Sequence, residues 1–290
     1  TLEIGGLQGG TFADAFSSGM ASTMSPGAVA DPAVGLPPSP IDPGFNQLDW
    51  SGMNINAAGL MLTASEMSSR AERNGDGVVT AVDSPRASLK LAIDPENPGT
   101  LGSQAQMFMG MLGFTELELY AESKGTFDPE TDTTRYETAN IGITDAVDVS
   151  LTGGFQGLND VLRSVMASGV AQQPDMSGLA SLKIVDMELV IDDNSLMSKI
   201  FNLAPMFVGQ DAATFRADLV SQVSALSQDM AAAGVDPTIS EELSAAIANF
   251  IQQPGVLRFK LDPETPVSFA NPEGPLTKES LGFSAEYEAN

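Results

Sequence analysis

The sequence predicts an α+β fold, a meandering antiparallel β-sheet with amphipathic helices packed on one face. Three observations carry that prediction. Apolar residues alternate with polar ones through much of residues 48–191 and again at 256–261. The alternating runs are separated by Asn-Gly, Asp-Gly and Asp-Pro steps. Apolar residues shift to a period of three and four in the C-terminal third.

The chain begins with Leu2, Ile4 and Leu7 among Gly5, Gly6, Gly9 and Gly10, which reads as a strand tail or a glycine-kinked hairpin. Six prolines then fall between Gly19 and Gln47. Proline removes a backbone donor and restricts its preceding neighbour, so this stretch reads as a loop or linker and as the best candidate boundary. The expected organisation is an N-terminal strand or hairpin with a proline-rich linker over 1–47, followed by one β-rich domain over 48–290.

Alternation starts at Leu48 and Trp50, continues through Met53, Ile55, Leu60 and Leu62, and resumes at Val79 after Asn74-Gly75-Asp76-Gly77. Asn-Gly and Asp-Gly accept positive φ, so a β-hairpin turning near residue 75 is predicted. Leu89, Leu91 and Ile93 follow on one face. Residues 115–127 and 135–144 form a second predicted pair around Asp128-Pro129-Glu130-Thr131-Asp132, and Val147, Val149 and Leu151 extend the meander. Ile184–Ile191 and Val256–Leu261 are the later strands. Three of these runs end in an apolar residue followed by Asp-Pro-Glu (residues 93–96, 127–130 and 261–264), a step suited to type I turns. Strand–helix units at 87–112, 147–170 and 182–208 suggest degenerate internal repetition.

The helices are clearest late in the chain. Phe215, Leu219, Val223, Leu226 and Met230 form a stripe in 211–233, with Asp211 as its predicted N-cap and Gly234 and Pro237 as its stop. A second helix over 239–253, with Thr238 and Glu241 at capping-box spacing, carries Ile239, Leu243, Ile247, Phe250 and Ile251. Half-apolar helices of this kind pack on a sheet face or on each other.

Composition excludes much chemistry. The 290 residues hold no Cys and no His, which removes disulfides, thiolate sites, Ser-His-Asp triads and the usual general base near neutral pH. A net charge of −25 repels nucleic-acid phosphates and anionic membrane surfaces. The longest apolar run, Met107–Phe114, falls well short of the roughly 18 residues of a membrane span. The first residue is Thr, which reads as a mature or excised chain with any signal peptide removed. Neither a G-x-S-x-G elbow, an S-x-x-K pair, a P-loop nor a dinucleotide fingerprint occurs. The pairs Asp192/Asp193, Glu241/Glu242 and Glu116/Glu118 are the number expected by chance among 38 acids.

One segment matches a ligand pattern. Counting from Glu72, the residues Asn74, Asp76, Thr80 and Asp83 stand at the third, fifth, ninth and twelfth positions of a calcium loop, with Gly77 at the sixth. Glu72 replaces the usual Asp, and Asp83 replaces the bidentate Glu. The same residues make a hairpin turn, which the flanking alternation favours. Methionine is frequent, with 14 residues including Met107, Met109 and Met111; its flexible thioether suits core gaps and adaptable apolar surfaces.

Residues 182–267 resemble uncharacterised alphaproteobacterial envelope proteins and, loosely, the β-rich AsmA-like periplasmic groups. The likeness rests on Leu189-Val190-Ile191-Asp192, on Leu196, Phe201, Phe215-Arg216 and Leu219, and on Phe250 and Pro254-Gly255-Val256-Leu257 through Leu261-Asp262-Pro263. It covers under a third of the chain and implies an exported envelope protein with no catalytic residue to transfer. The expected function is therefore a non-enzymatic periplasmic or otherwise exported protein that holds an apolar ligand such as lipid, or a partner protein, in a groove between sheet and helices. A calcium-binding structural protein is the alternative, and a carboxylate-dependent glycoside hydrolase a weaker one, given one Trp and three Tyr for sugar stacking.

Overall fold

The computed structural model of the chain describes residues 2–5, 39–57, 59–96, 98–167, 177–232, 235–268 and 274–290. Ten strands within them form one antiparallel sheet whose spatial order is the chain order. They are β1 (Leu2–Gly5), β2 (Gln47–Ala57), β3 (Leu60–Arg73), β4 (Val79–Ile93), β5 (Glu116–Asp128), β6 (Thr133–Ile143), β7 (Val147–Gln156), β8 (Lys183–Asp193), β9 (Gly255–Leu261) and β10 (Ser284–Ala289). The α+β meander expected from alternation is the observed fold. β1 pairs with β2, Leu2 opposite Trp50, so the chain on either side of the proline-rich stretch enters the same sheet. Most of that stretch lies outside the described residues.

Local turn chemistry sets the hairpin ends. The β5–β6 turn is anchored by Asp128, whose carboxylate accepts from the Glu130 N–H at 2.9 Å and the Thr131 hydroxyl at 2.8 Å. At the end of β4, Asp94 accepts from the Glu96 N–H in the same way. β4 is longer than the two short runs read from the sequence. It passes through Pro85, where its register against β5 slips by one residue between Ser84 and Ala87. A bulge is where a strand tolerates a proline, because the missing N–H falls outside the ladder.

Residues opposite each other in an antiparallel pair share a face. One row runs Ala87, Ala121, Ile141, Val149, Ile191, Leu257, Tyr287 from β4 to β10. A neighbouring row runs Met53, Ala64, Leu89, Leu119, Ile143, Val147. The opposite face is charged, with ion pairs Lys90–Glu116, Lys124–Glu137, Arg135–Asp186 and Arg258–Glu188. These pairs are solvent-exposed and contribute at most about 1 kcal/mol each. The sheet thus has an apolar and a polar face.

The described helices are α1 (Gly99–Met111), α2 (Leu158–Ala167), α3 (Leu196–Val208), α4 (Ala212–Ala232), α5 (Pro237–Gln252) and the short α6 (Lys278–Leu281). α1, α2 and α3 follow β4, β7 and β8, as the strand–helix reading expected. α5 covers the apolar face over β8–β10. Ala246 and Phe250 are buried with Leu257 and Ala285, and Ile191, Leu243, Phe259 and Tyr287 pack around them. Ile239 joins Leu261 and Leu281 in a second cluster.

Two helix assignments change. α5 starts at Pro237, with Asp236 as N-cap accepting from the Thr238 N–H and hydroxyl at 2.9 and 2.7 Å. Proline suits the first helical position, and Thr238 is already the donor, so the expected Thr238/Glu241 box does not form. α4 has its expected cap, Asp211 accepting from the N–H groups of Ala213 and Thr214 at 3.0 Å each, but it buries no residue. It lies against α5, which already occupies the sheet. Gly234 lies outside the described residues.

Candidate functional site

Residues 72–83 form the β3–β4 hairpin. Asn74 Oδ1 accepts from the N–H groups of Asp76 and Val78, both at 3.0 Å, and Gly77 takes φ +81°. Glu72 stands on β3 opposite Ala81, Asp83 on β4 opposite Arg70, and Thr80 on β4 at the register shift between the Ala81 and Val79 pairs. The turn consumes the Asn74 amide as its own support. Arg73 lies beside it, donating to the Gly77 carbonyl at 2.9 Å, to Asn46 Oδ1 at 2.7 Å and to both carboxylate oxygens of Asp42. That fixed cation opposes a second positive charge at the hairpin. No group of three or more Asp or Glu side chains among the described residues is placed to hold a metal ion.

One member of each acidic pair has structural employment. Glu116 pairs with Lys90. Asp193 accepts from the Met197 N–H at 2.7 Å at the start of α3. Burial pushes the Glu242 carboxyl up, but the Lys278 ammonium and the Ala285 N–H outweigh it and hold it below the usual glutamate range. Asp128, Asp211 and Asp236 are likewise lowered, the first two chiefly by threonine hydroxyls and Asp236 chiefly by the Lys278 N–H. A carboxylic acid that must deliver a proton near neutrality needs the opposite shift.

An apolar concavity lies on the sheet itself. A depression of about 410 Å³ is lined by Trp50 of β2, Ala64 and Met67 of β3, Leu89 of β4, and Leu119 and Ile141 of β5 and β6, among others. That volume falls within the roughly 300–1,000 Å³ of small-molecule sites. Leu89, Leu119 and Ile141 are each more than a third exposed, Ile141 reaching 59%. The depression stands on the half of the apolar face that α5 leaves bare. Space between α5 and the sheet is filled by the two core clusters.

Backbone irregularity brings these side chains together. Ala64 and Met67 are three apart and would face opposite ways in a regular strand. Both line the depression because the ladder opens here. Gly52 of β2 takes φ +66°, the Pro85–Arg86 bulge interrupts β4, and Ser65 Oγ of β3 accepts the Ser88 N–H at 2.8 Å. Sequence reading placed Trp50, Leu89 and Leu119 in strands without joining them as a site. The available signal was Gly52 and Pro85 inside otherwise alternating runs.

A family model described as "Uncharacterized protein" matches residues 140–276, from the last rungs of β6 to just before α6. No curated protein matches the chain. No described helix is long and apolar enough to cross a membrane.

Proposed function

We propose that this is a non-catalytic, exported binding protein that holds an apolar ligand of the lipid class, an acyl chain, against the bare half of its sheet. The carrying observation is the depression lined by Trp50, Ala64, Met67, Leu89, Leu119 and Ile141, with these apolar side chains left in contact with solvent. Burying a side chain such as Ile141 or Leu119 under a ligand removes apolar surface from water, worth about 1.5–3 kcal/mol for each fully covered residue. The missing His and Cys, and the lowered carboxyls, support binding without chemistry. The resemblance of residues 182–267 to envelope proteins supports export.

Trp50 is the only tryptophan, so its emission reports on this depression alone. Titration with a brominated C18 fatty acid is expected to quench it saturably. Native mass spectrometry and solvent extraction of the purified protein are expected to recover an acyl lipid. Ile141→Asp is expected to remove both signals and to melt as the delipidated wild type does. Unquenched Trp50 together with a lipid-free extract overturns the proposal, and a co-purifying polypeptide held by the same face replaces the lipid with a protein partner.

A further inference from the structure

α1 and α3 leave the sheet at the same end. Alternate strands run the same way, so the C-terminal ends of β4 and β8 coincide in direction. The first turn of α3 also meets the segment after α1, Lys199 Nζ standing 3.6 Å from the Phe114 ring centroid. Three N–H groups at the α3 entrance, those of Asn194, Ser195 and Leu196, converge on the Ala146 carbonyl at 3.0–3.1 Å, which ties α3 to the β6–β7 turn at that end.

This end is apolar in an unusual way. Met107 and Phe108 of α1, and Met206, Phe207 and Val208 of α3, are each more than half exposed. Consecutive helical residues point about 100° apart, a consequence of 3.6 residues per turn. Pro205 is buried against the protein, and Met206, Phe207 and Val208 spread over the remaining sides of the α3 tip, a wider exposed surface than one stripe. A stripe fits the groove of a folded partner; an exposed tip apolar over most of its girth fits a medium that closes around it. The two helical segments are poor in charge, and the exposed acids at this end, Glu96, Asp145 and Asp211, lie in the flanking turns. Residues 99–115 carry no charged side chain, and residues 195–210 carry only Lys199, in a chain with 38 acids. Lys199 lies in the first turn of α3 with its ammonium over the Phe114 ring, at the opposite end of the helix from Met206, Phe207 and Val208. A second copy is a poor occupant, because it brings another −25 to the contact.

We propose that this end of the sheet inserts into the headgroup–acyl boundary of a zwitterionic bilayer, docking the protein without spanning the membrane. The proposal does not depend on ligand binding by the sheet face. The test is flotation of the intact chain with phosphatidylcholine vesicles, alongside sedimentation velocity without lipid. Wild type is expected to float and to sediment as a monomer. Phe108→Asp/Phe207→Asp is expected to lose at least about tenfold in vesicle binding with an unchanged circular dichroism spectrum. Leu226→Asp, on the exposed side of α4, is expected to bind as wild type does. Replacing a third of the lipid with phosphatidylglycerol is expected to weaken binding at low salt, as the net charge dictates. Three results overturn it: wild type that does not float, a double variant that floats like wild type, or a wild-type dimer that the double variant dissociates. Solvent extraction of the double variant separates the two proposals. Acyl lipid retained with flotation lost supports docking by the helix tips, whereas a lipid-free wild type that still floats removes the ligand reading alone.

Discussion

Arg73 shows how much one side chain can organise. Its guanidinium joins Asp42, Asn46 and the Gly77 carbonyl, and in the ion pair the Arg73 and Asp42 side chains are 10% and 6% exposed. The residues leading into β2 are thereby fastened to the β3–β4 turn. Breaking a buried pair by removing one partner leaves an uncompensated charge and typically costs about 3–5 kcal/mol. Arg73→Ala is expected to lower the urea midpoint by an amount in that range, and Arg73→Ala/Asp42→Ala to recover part of the loss. Double-variant stability no better than the single variant would mean that Arg73 acts through Asn46 and Gly77 alone. The pair was invisible in the sequence because its members are 31 residues apart and follow no periodic pattern. The hairpin beside it was legible, since Asn-Gly-Asp-Gly chemistry is local.

Helix and strand boundaries were legible to the degree that they depend on neighbours in the chain. Asp211 as a cap and Asp128 as a turn anchor follow from local hydrogen bonding. The choice between α4 and α5 for the sheet does not. Both helices carry apolar stripes, and only packing decides that Phe250 is buried while Leu226 is exposed. Asp236 ties α5 to α6 as well as capping α5, since its second oxygen accepts the Lys278 N–H at 2.9 Å. Its carboxyl is held below the usual aspartate range. A lowered folded-state pKa gives stability that is present above the unfolded value near pH 4 and is lost as pH falls through the folded one. Asp236→Asn is therefore expected to flatten the decline of melting temperature below pH 4 relative to wild type. An identical slope in the two proteins would sink that assignment. In β7, Gly153 sits at φ +146°, and a Cβ there would stand 2.3 Å from the Asp186 carbonyl of β8. Gly153→Ala is expected to destabilise by a few kcal/mol in chemical denaturation, through both strain and displacement of β8.

At the scale of the whole molecule, one apolar face is treated in two ways. Over β8–β10 it is a closed core under α5. Over β2–β6 it carries the depression and exposed leucine and isoleucine. Substitutions should divide accordingly. Phe250→Ala is expected to cost about 3–5 kcal/mol in unfolding free energy, as for aromatic truncations in packed cores. Leu119→Asp, on the same face of the sheet, is expected to cost only about 1 kcal/mol in the delipidated protein, chiefly the poor fit of aspartate in a strand. Comparable losses at both positions would show that something covers β5 in solution. The sheet's amphipathic character was readable from alternation. Its division into a covered and a bare half was not, because that depends on how far a 16-residue helix reaches across ten strands.

The identity of chain order and sheet order has a kinetic consequence. Each strand pairs with the strand made just before or after it, although the β8–β9 pair closes only after α3, α4 and α5 have been made. Loop-closure entropy is small at the tight hairpins β2–β3, β3–β4, β5–β6 and β6–β7 and larger where helices intervene. The sheet can grow strand by strand from a hairpin such as β3–β4, and can shed strands from either edge without unravelling its middle.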